Sequence, residues 1–193
     1  MTIAIKTLKI NNSICDVSIN ENNTKIITQC YNCKTCNNAA KSGHLNCLKF
    51  YHINGDTIDK FTSYNAAEFG NLDCLKYLHK NNCKFNSITF ELASLHGHLD
   101  CLKFLHVNNC PWNETVCEAA VINSHLDCLK YLHENYCPWD SFTCSNAALN
   151  NQLDCLKYAH ENGCPLSKLT FINAKKYQYS KCLHYLITNK CPQ

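Results

Sequence analysis

Cys137-Pro-Trp-Asp-Ser-Phe-Thr-Cys-Ser-Asn-Ala-Ala-Leu-Asn-Asn-Gln-Leu-Asp-Cys-Leu-Lys-Tyr-Ala-His-Glu-Asn-Gly163 is one copy of a pattern that returns every 27 residues. Cys47, Cys74, Cys101, Cys128, Cys155 and Cys182 keep that spacing without slippage, and each is followed by Leu. Ala39, Ala66, Ala93, Ala120, Ala147 and Ala174 form a second column, and Cys83, Cys110, Cys137, Cys164 and Cys191 a third. Self-similarity at one fixed period of this length marks a stacked-repeat architecture. Such architectures present a long surface rather than a single chemical pocket.

Within the quoted copy the residues divide into two helices. The first is expected to begin near Asp140 or Ser141, both good N-caps, with Pro138 safely outside it, and to stop near Asn150. Its Ala147-Ala148 pair lets a neighbouring helix come close. The second helix runs through Leu-Asp-Cys-Leu-Lys-Tyr. In the earlier copy Leu72, Leu75 and Leu78, with Cys74 and Tyr77 beside them, make an apolar arc wider than one face, which suits a helix packed on both sides. Asp73 and Lys76 mark the remaining polar stripe. Asn-Gly or Asn-Asn then ends the helix, as residues tolerant of the left-handed conformation do.

Two short helices cannot bury this much apolar surface alone, but stacked copies can. The reading is therefore an all-α solenoid of about six stacked helix-turn-helix repeats of 27 residues, covering residues 30–193. The last copy drifts, with Ser180, Lys181 and Lys175 replacing Leu, Asp and the second Ala, as expected of a terminal repeat with one wet side. Residues 1–29 form an N-terminal cap or irregular segment. Ile3, Ile5, Leu8 and Ile10 alternate partially between Asn-rich turns, and a capping hairpin, a degenerate repeat and a tail all fit.

The 193 residues carry a net charge of +3 and no run of Lys or Arg, which argues against nucleic acid as partner. No apolar stretch approaches bilayer-spanning length, so no membrane partner is expected. Met1-Thr2-Ile3-Ala4-Ile5-Lys6 lacks the sustained apolar core of a secretory signal. Fourteen of the 17 cysteines occupy repeat columns, the third being Cys36, Cys117 and Cys144. Copies of one column should lie about 10 Å apart, as packed helices do, too far for a disulfide. They are expected to be reduced core thiols in a cytoplasmic or nuclear compartment, with a loop-to-helix pair such as Cys110 and Cys117 left open.

At Ala39-Ala40-Lys41-Ser42-Gly43-His44-Leu45, at Gly97-His98-Leu99, and at Ala147-Ala148 followed by Leu153-Asp154-Cys155-Leu156-Lys157-Tyr158, residues 30–193 resemble the ankyrin repeat. The chain looks most like the shortened, Cys-rich ankyrin repeats encoded by large DNA viruses of amoebae. Asn71, Ser124, Asn151 and Gln152 depart from the Gly-His-Leu turn. The usual unit is about six residues longer than this one. The missing residues are those of the projecting β-hairpin finger, and Cys-Pro-Trp-Asp stands where Thr-Pro-Leu-His would be. The resemblance implies a non-enzymatic protein–protein interaction scaffold, a nearly all-helical solenoid without fingers, first helices on the concave side, and possible host-protein partners in the cytoplasm.

Columns that vary between copies are free to meet a partner. Asn37, Tyr64, Glu91 and Glu118 lie in one such column, Lys41 and Glu68 in a second four residues on and therefore on the same helix face, and Phe69, His96, Asn123 and Asn150 in a third. These ten are the candidate partner-binding residues. Trp112 and Trp139 sit in a column that is always apolar and is expected to be core. His52, His79, His106, His133 and His160 end the second helices, where they suit the helix dipole. Cys30, Cys33 and Cys36 make overlapping Cys-x-x-Cys spacings, and with Cys15 they are the alternative reading, a zinc- or redox-responsive module. No phosphate loop and no nucleophile elbow occurs, so neither an enzyme nor a cofactor is expected.

Overall fold

A computed structural model describes the backbone of residues 5–10, 13–19 and 25–28 and the whole of residues 33–193. The chain divides into two compact units, residues 1–84 and 85–193. The first unit holds strands β1 (Ile5–Ile10), β2 (Ser13–Ile19) and β3 (Lys25–Thr28) and helices α1 (Cys36–Ser42), α2 (Leu45–Ile53), α3 (Lys60–Glu68) and α4 (Leu72–Lys80). The second holds α5 (Ser87–Leu95), α6 (Leu99–Val107), α7 (Glu114–Ile122), α8 (Leu126–Glu134), α9 (Ser141–Leu149), α10 (Leu153–Glu161), α11 (Lys168–Lys176) and α12 (Ser180–Thr188). The repeat region is the all-α solenoid of helix pairs that the period implies. No strand occurs among residues 33–193, in keeping with the missing fingers. The N-terminal alternation becomes a three-stranded antiparallel sheet in the order β1-β2-β3, with Ile5 opposite Ser18 and Asp16 opposite Thr28.

Each helix pair is set by local chemistry that recurs at the period. Asp59, Asn86 and Ser167 cap α3, α5 and α11 in full capping boxes, each reciprocated by a Thr at the third helical position. Asp140 caps α9, where the sequence placed it. The turn between the two helices of a pair needs one residue with positive φ. Gly43, Gly70 and Gly97 supply it without strain, while Ser124, Asn151 and Gln178 adopt it in later copies. Each second helix ends on an Asn whose side-chain amide donates back to the carbonyl four residues earlier, from Asn54 to Phe50 at 2.8 Å through Asn189 to Tyr185 at 2.8 Å.

The loop that follows is closed by the cysteine column that runs from Cys83 to Cys191. The thiol of Cys110 lies 3.4 Å from the carbonyl of Asn86, the residue capping the first helix of the same pair. Cys137 repeats this on Asn113 at 3.5 Å, Cys164 on Asp140 at 2.9 Å and Cys191 on Ser167 at 3.5 Å. The end of each pair is thereby tied to its beginning by a weak S–H donor.

The core is two columns deep. Ala39, Ala66, Ala93, Ala120, Ala147 and Ala174 are fully buried, as are Leu48, Leu75, Leu102, Leu129 and Leu156 on the second helices. Small Ala side chains let first helices approach more closely than second helices do, α1 on α3 in the first unit and α5, α7, α9 and α11 in the second. In each unit the first-helix side is therefore the tighter side.

Candidate partner-binding surface

The ten variable residues face several kinds of neighbour. In the first unit Asn37 accepts a hydrogen bond from the Thr62 hydroxyl on the next first helix. Lys41 places its ammonium 5.1 Å from the ring centre of Phe69, a cation–π contact between consecutive copies. Tyr64 meets Phe61 edge-to-face at 5.9 Å. Glu68 lies half-buried at the end of α3.

In the second unit Glu91 accepts from the Thr115 hydroxyl at 2.7 Å, and Glu118 from the Asn146 amide at 2.9 Å. Asn123 donates to the Leu95 carbonyl at 2.8 Å, and Asn150 to Asn146 in its own helix at 2.9 Å. His96 is exposed and stacks at 6.3 Å on His98. Six of these variable positions, Asn37, Lys41, Phe69, Glu91, Glu118 and Asn123, thus bind a neighbouring copy. Burial, and after it the negative charge of Asp140, raises the Glu118 carboxyl above the ordinary range, and the Asn146 amide partly offsets this.

A mostly apolar column proves to be on the surface. Phe61 in the first unit, and Ile88, Phe142 and Leu169 in the second, stand 27 residues apart near the start of the first helices, with Thr115 completing the row. Phe142 is 52% exposed and Leu169 42%. They stand three residues before the Tyr64–Glu91–Glu118 column and so share its face. A column apolar in four of five copies, next to the N-cap and outside the Ala and Leu core columns, is the signal in the sequence.

The other columns settle into the scaffold. His52 Nδ1 meets the Tyr77 hydroxyl at 2.8 Å, His106 that of Tyr131 at 2.9 Å, His133 that of Tyr158 at 3.0 Å and His160 that of Tyr185 at 2.8 Å. A ladder of imidazole–phenol bonds therefore links consecutive second helices. Trp112 and Trp139 stack face-on upon His106 and His133 at 4.3 and 4.2 Å and are half-buried, which covers the ladder rather than filling the core.

The cysteines described are all free thiols. The helix column meets the loop column at a spacing of twenty residues. Hydrogen-bonding contact with Cys137, together with burial, pushes the Cys117 thiol up, and Cys164 does the same to Cys144. Cys117 thus neighbours Cys137, not Cys110.

Of the four cysteines in the zinc reading, the Cys15 side chain and Cys30 lie outside the described residues. Cys36 turns into the core, its thiol toward the Leu48 carbonyl, and burial and Asp56 push it up to about 12. Cys33 goes elsewhere. Its sulfur lies 3.1 Å from Nδ1 of His44, and the ligand atoms of Cys33, His44 and Cys47 all fall within 4.8 Å of one another.

Stacked helix pairs of this kind, with an exposed and variable first-helix face, define the ankyrin-repeat fold. A family model described as ankyrin repeats (3 copies) matches residues 63–143. The crystal structure of the human ASB11 ankyrin repeat domain superposes with a TM-score of 0.70, covering 81% of this chain and 84% of that domain at 17% identity. Among curated proteins none matches the chain. Among the described residues no helix is long and apolar enough to cross a membrane.

Proposed function

We propose that this chain is a non-enzymatic scaffold that takes a protein partner on its first-helix face. The observation that carries this is the exposed apolar row Ile88, Phe142 and Leu169 on the stacked first helices of the second unit. Apolar side chains repeated on a solvent face mark interaction sites, because exposing them in the free protein has no folding benefit. Beside the row stand Glu91 and Glu118, so the partner that fits offers apolar side chains with a basic group among them. Tyr64, Phe69 and Phe61 offer a similar mixture on the first unit. The shared fold with ankyrin repeat domains supports the class of function. The free thiols suit a reducing, cytoplasmic setting. The resemblance to repeats of large DNA viruses of amoebae makes a host-cell protein the first partner to seek.

The test is affinity capture from amoebal lysate by the wild type and by an I88D/F142D/L169D variant, with far-UV circular dichroism confirming the fold. The proposal expects a protein retained by the wild type and lost by the variant. Equal retention by the folded variant would overturn the assignment of the face.

A further inference from the structure

We propose that Cys33, His44 and Cys47 bind one zinc ion in the first unit. Of the three, His44 and Cys47 occupy periodic positions of the first copy, and Cys33 stands outside the repeat columns. His44 caps α2 and Cys47 is its third residue, so a single helical turn aims both at one point. Cys33 arrives from the segment before α1, and its carbonyl is held by the Tyr51 hydroxyl of α2, which fixes the approach. Cys33 and Cys47 are at most 1% exposed and His44 is half-buried.

Comparison with the other copies isolates the site. His98 with Cys101 and His125 with Cys128 repeat the His-x-x-Cys pair in the same helical turn. Among the described residues no third ligand joins either pair. The residue 27 places beyond Cys33 is Lys60, which starts α3. Three copies therefore supply two donors each as part of the fold, and among the described residues the first alone adds a third.

The donor set selects the metal. Two thiolates and an imidazole suit zinc, whose Zn–S and Zn–N bonds of about 2.3 and 2.0 Å put neighbouring tetrahedral ligand atoms about 3.6–3.8 Å apart. The present separations of 3.1 Å for Cys33 to His44 and at most 4.8 Å across the set bracket that value. The N-terminal end of α2 favours the Cys47 thiolate that coordination requires. Binding releases two thiol protons, one from each cysteine. The fourth tetrahedral position goes to water.

The experiment uses the full chain purified without chelator, its zinc measured by plasma mass spectrometry. Binding of added cobalt(II) is followed by the visible bands of tetrahedral thiolate coordination. H44Q copies the Gln152 that another repeat accepts at this place, so it keeps the fold; C33S removes the irregular ligand, and C83S is a control thiol. The expected result is one zinc per chain in the wild type and C83S, and less than a tenth of that in H44Q and C33S. Chelation should lower the melting temperature of the wild type but not of H44Q. A wild type that neither retains zinc nor gives tetrahedral cobalt bands would overturn the proposal. So would stoichiometric zinc persisting in both C33S and H44Q.

Discussion

Thr143 and Val116 occupy the same buried place in consecutive copies, one repeat apart. Thr62, Thr89 and Thr170 at that place use their hydroxyls in capping boxes, but the Thr143 hydroxyl is buried without a partner. A buried unpaired hydroxyl costs free energy that an isosteric methyl does not. We expect T143V to leave stability unchanged or raise it by up to about 1 kcal/mol, and T89V to lower it by about 1 kcal/mol, both from urea unfolding. Gly97 makes the opposite case. It sits at φ +74, and a Cβ there would lie 2.4 Å from Nδ1 of the His125 ring. G97A should therefore destabilise by about 1–3 kcal/mol in the same assay, through left-handed strain and the displaced ring. Residue by residue, the N-cap at Asp140 and the left-handed turn positions could be read from the sequence, because they depend on chemistry within a few places. That Glu118 meets Asn146, or Cys33 meets His44, could not, since those contacts depend on how one helix is seated against another.

At the scale of the helix pair, imidazole–phenol bonds join α2 to α4 in the first unit and α6, α8, α10 and α12 in turn in the second, where a Trp covers two of them. Y158F keeps the ring and removes the hydroxyl that faces His133 at 3.0 Å. Its expected cost is about 0.5–1.5 kcal/mol in equilibrium unfolding, with the helical signal of the folded protein unchanged. Period and helix boundaries were legible because Ala, Leu and Cys columns recur without insertions. The exposure of Phe142 and Leu169 was not. A mostly apolar column reads as core until the stacking shows that the Ala and Leu columns already fill the space. The N-terminal alternation was legible as extended chain but not as three paired strands, since pairing needs a register that the partial pattern leaves open.

Across the whole molecule the buried thiols set a limit on the alkaline side. Burial raises the thiols of Cys74 and Cys110 to about 12 and those of Cys128 and Cys155 to about 11, from an ordinary value of 9.0. A thiol whose folded pKa is raised keeps its proton in the native state while the unfolded chain loses it. Its contribution is thus fully present below about pH 9 and is lost as pH rises toward 11–12. Urea midpoints should be level with respect to these groups from pH 7 to 8.5 and fall steadily from pH 9 to 11. A midpoint that held constant to pH 11 would contradict the burial of these columns. The same burial should protect the native cysteines from alkylation at pH 8 while the unfolded chain reacts throughout.

The central claim is that a partner lies on the first helices. Hydrogen–deuterium exchange of the chain with its captured partner tests it most directly. The account predicts slowed exchange in peptides covering 87–95, 114–122, 141–149 and 168–176, with the second helices unchanged. Protection confined to peptides covering 99–107, 126–134, 153–161 and 180–188 would contradict it.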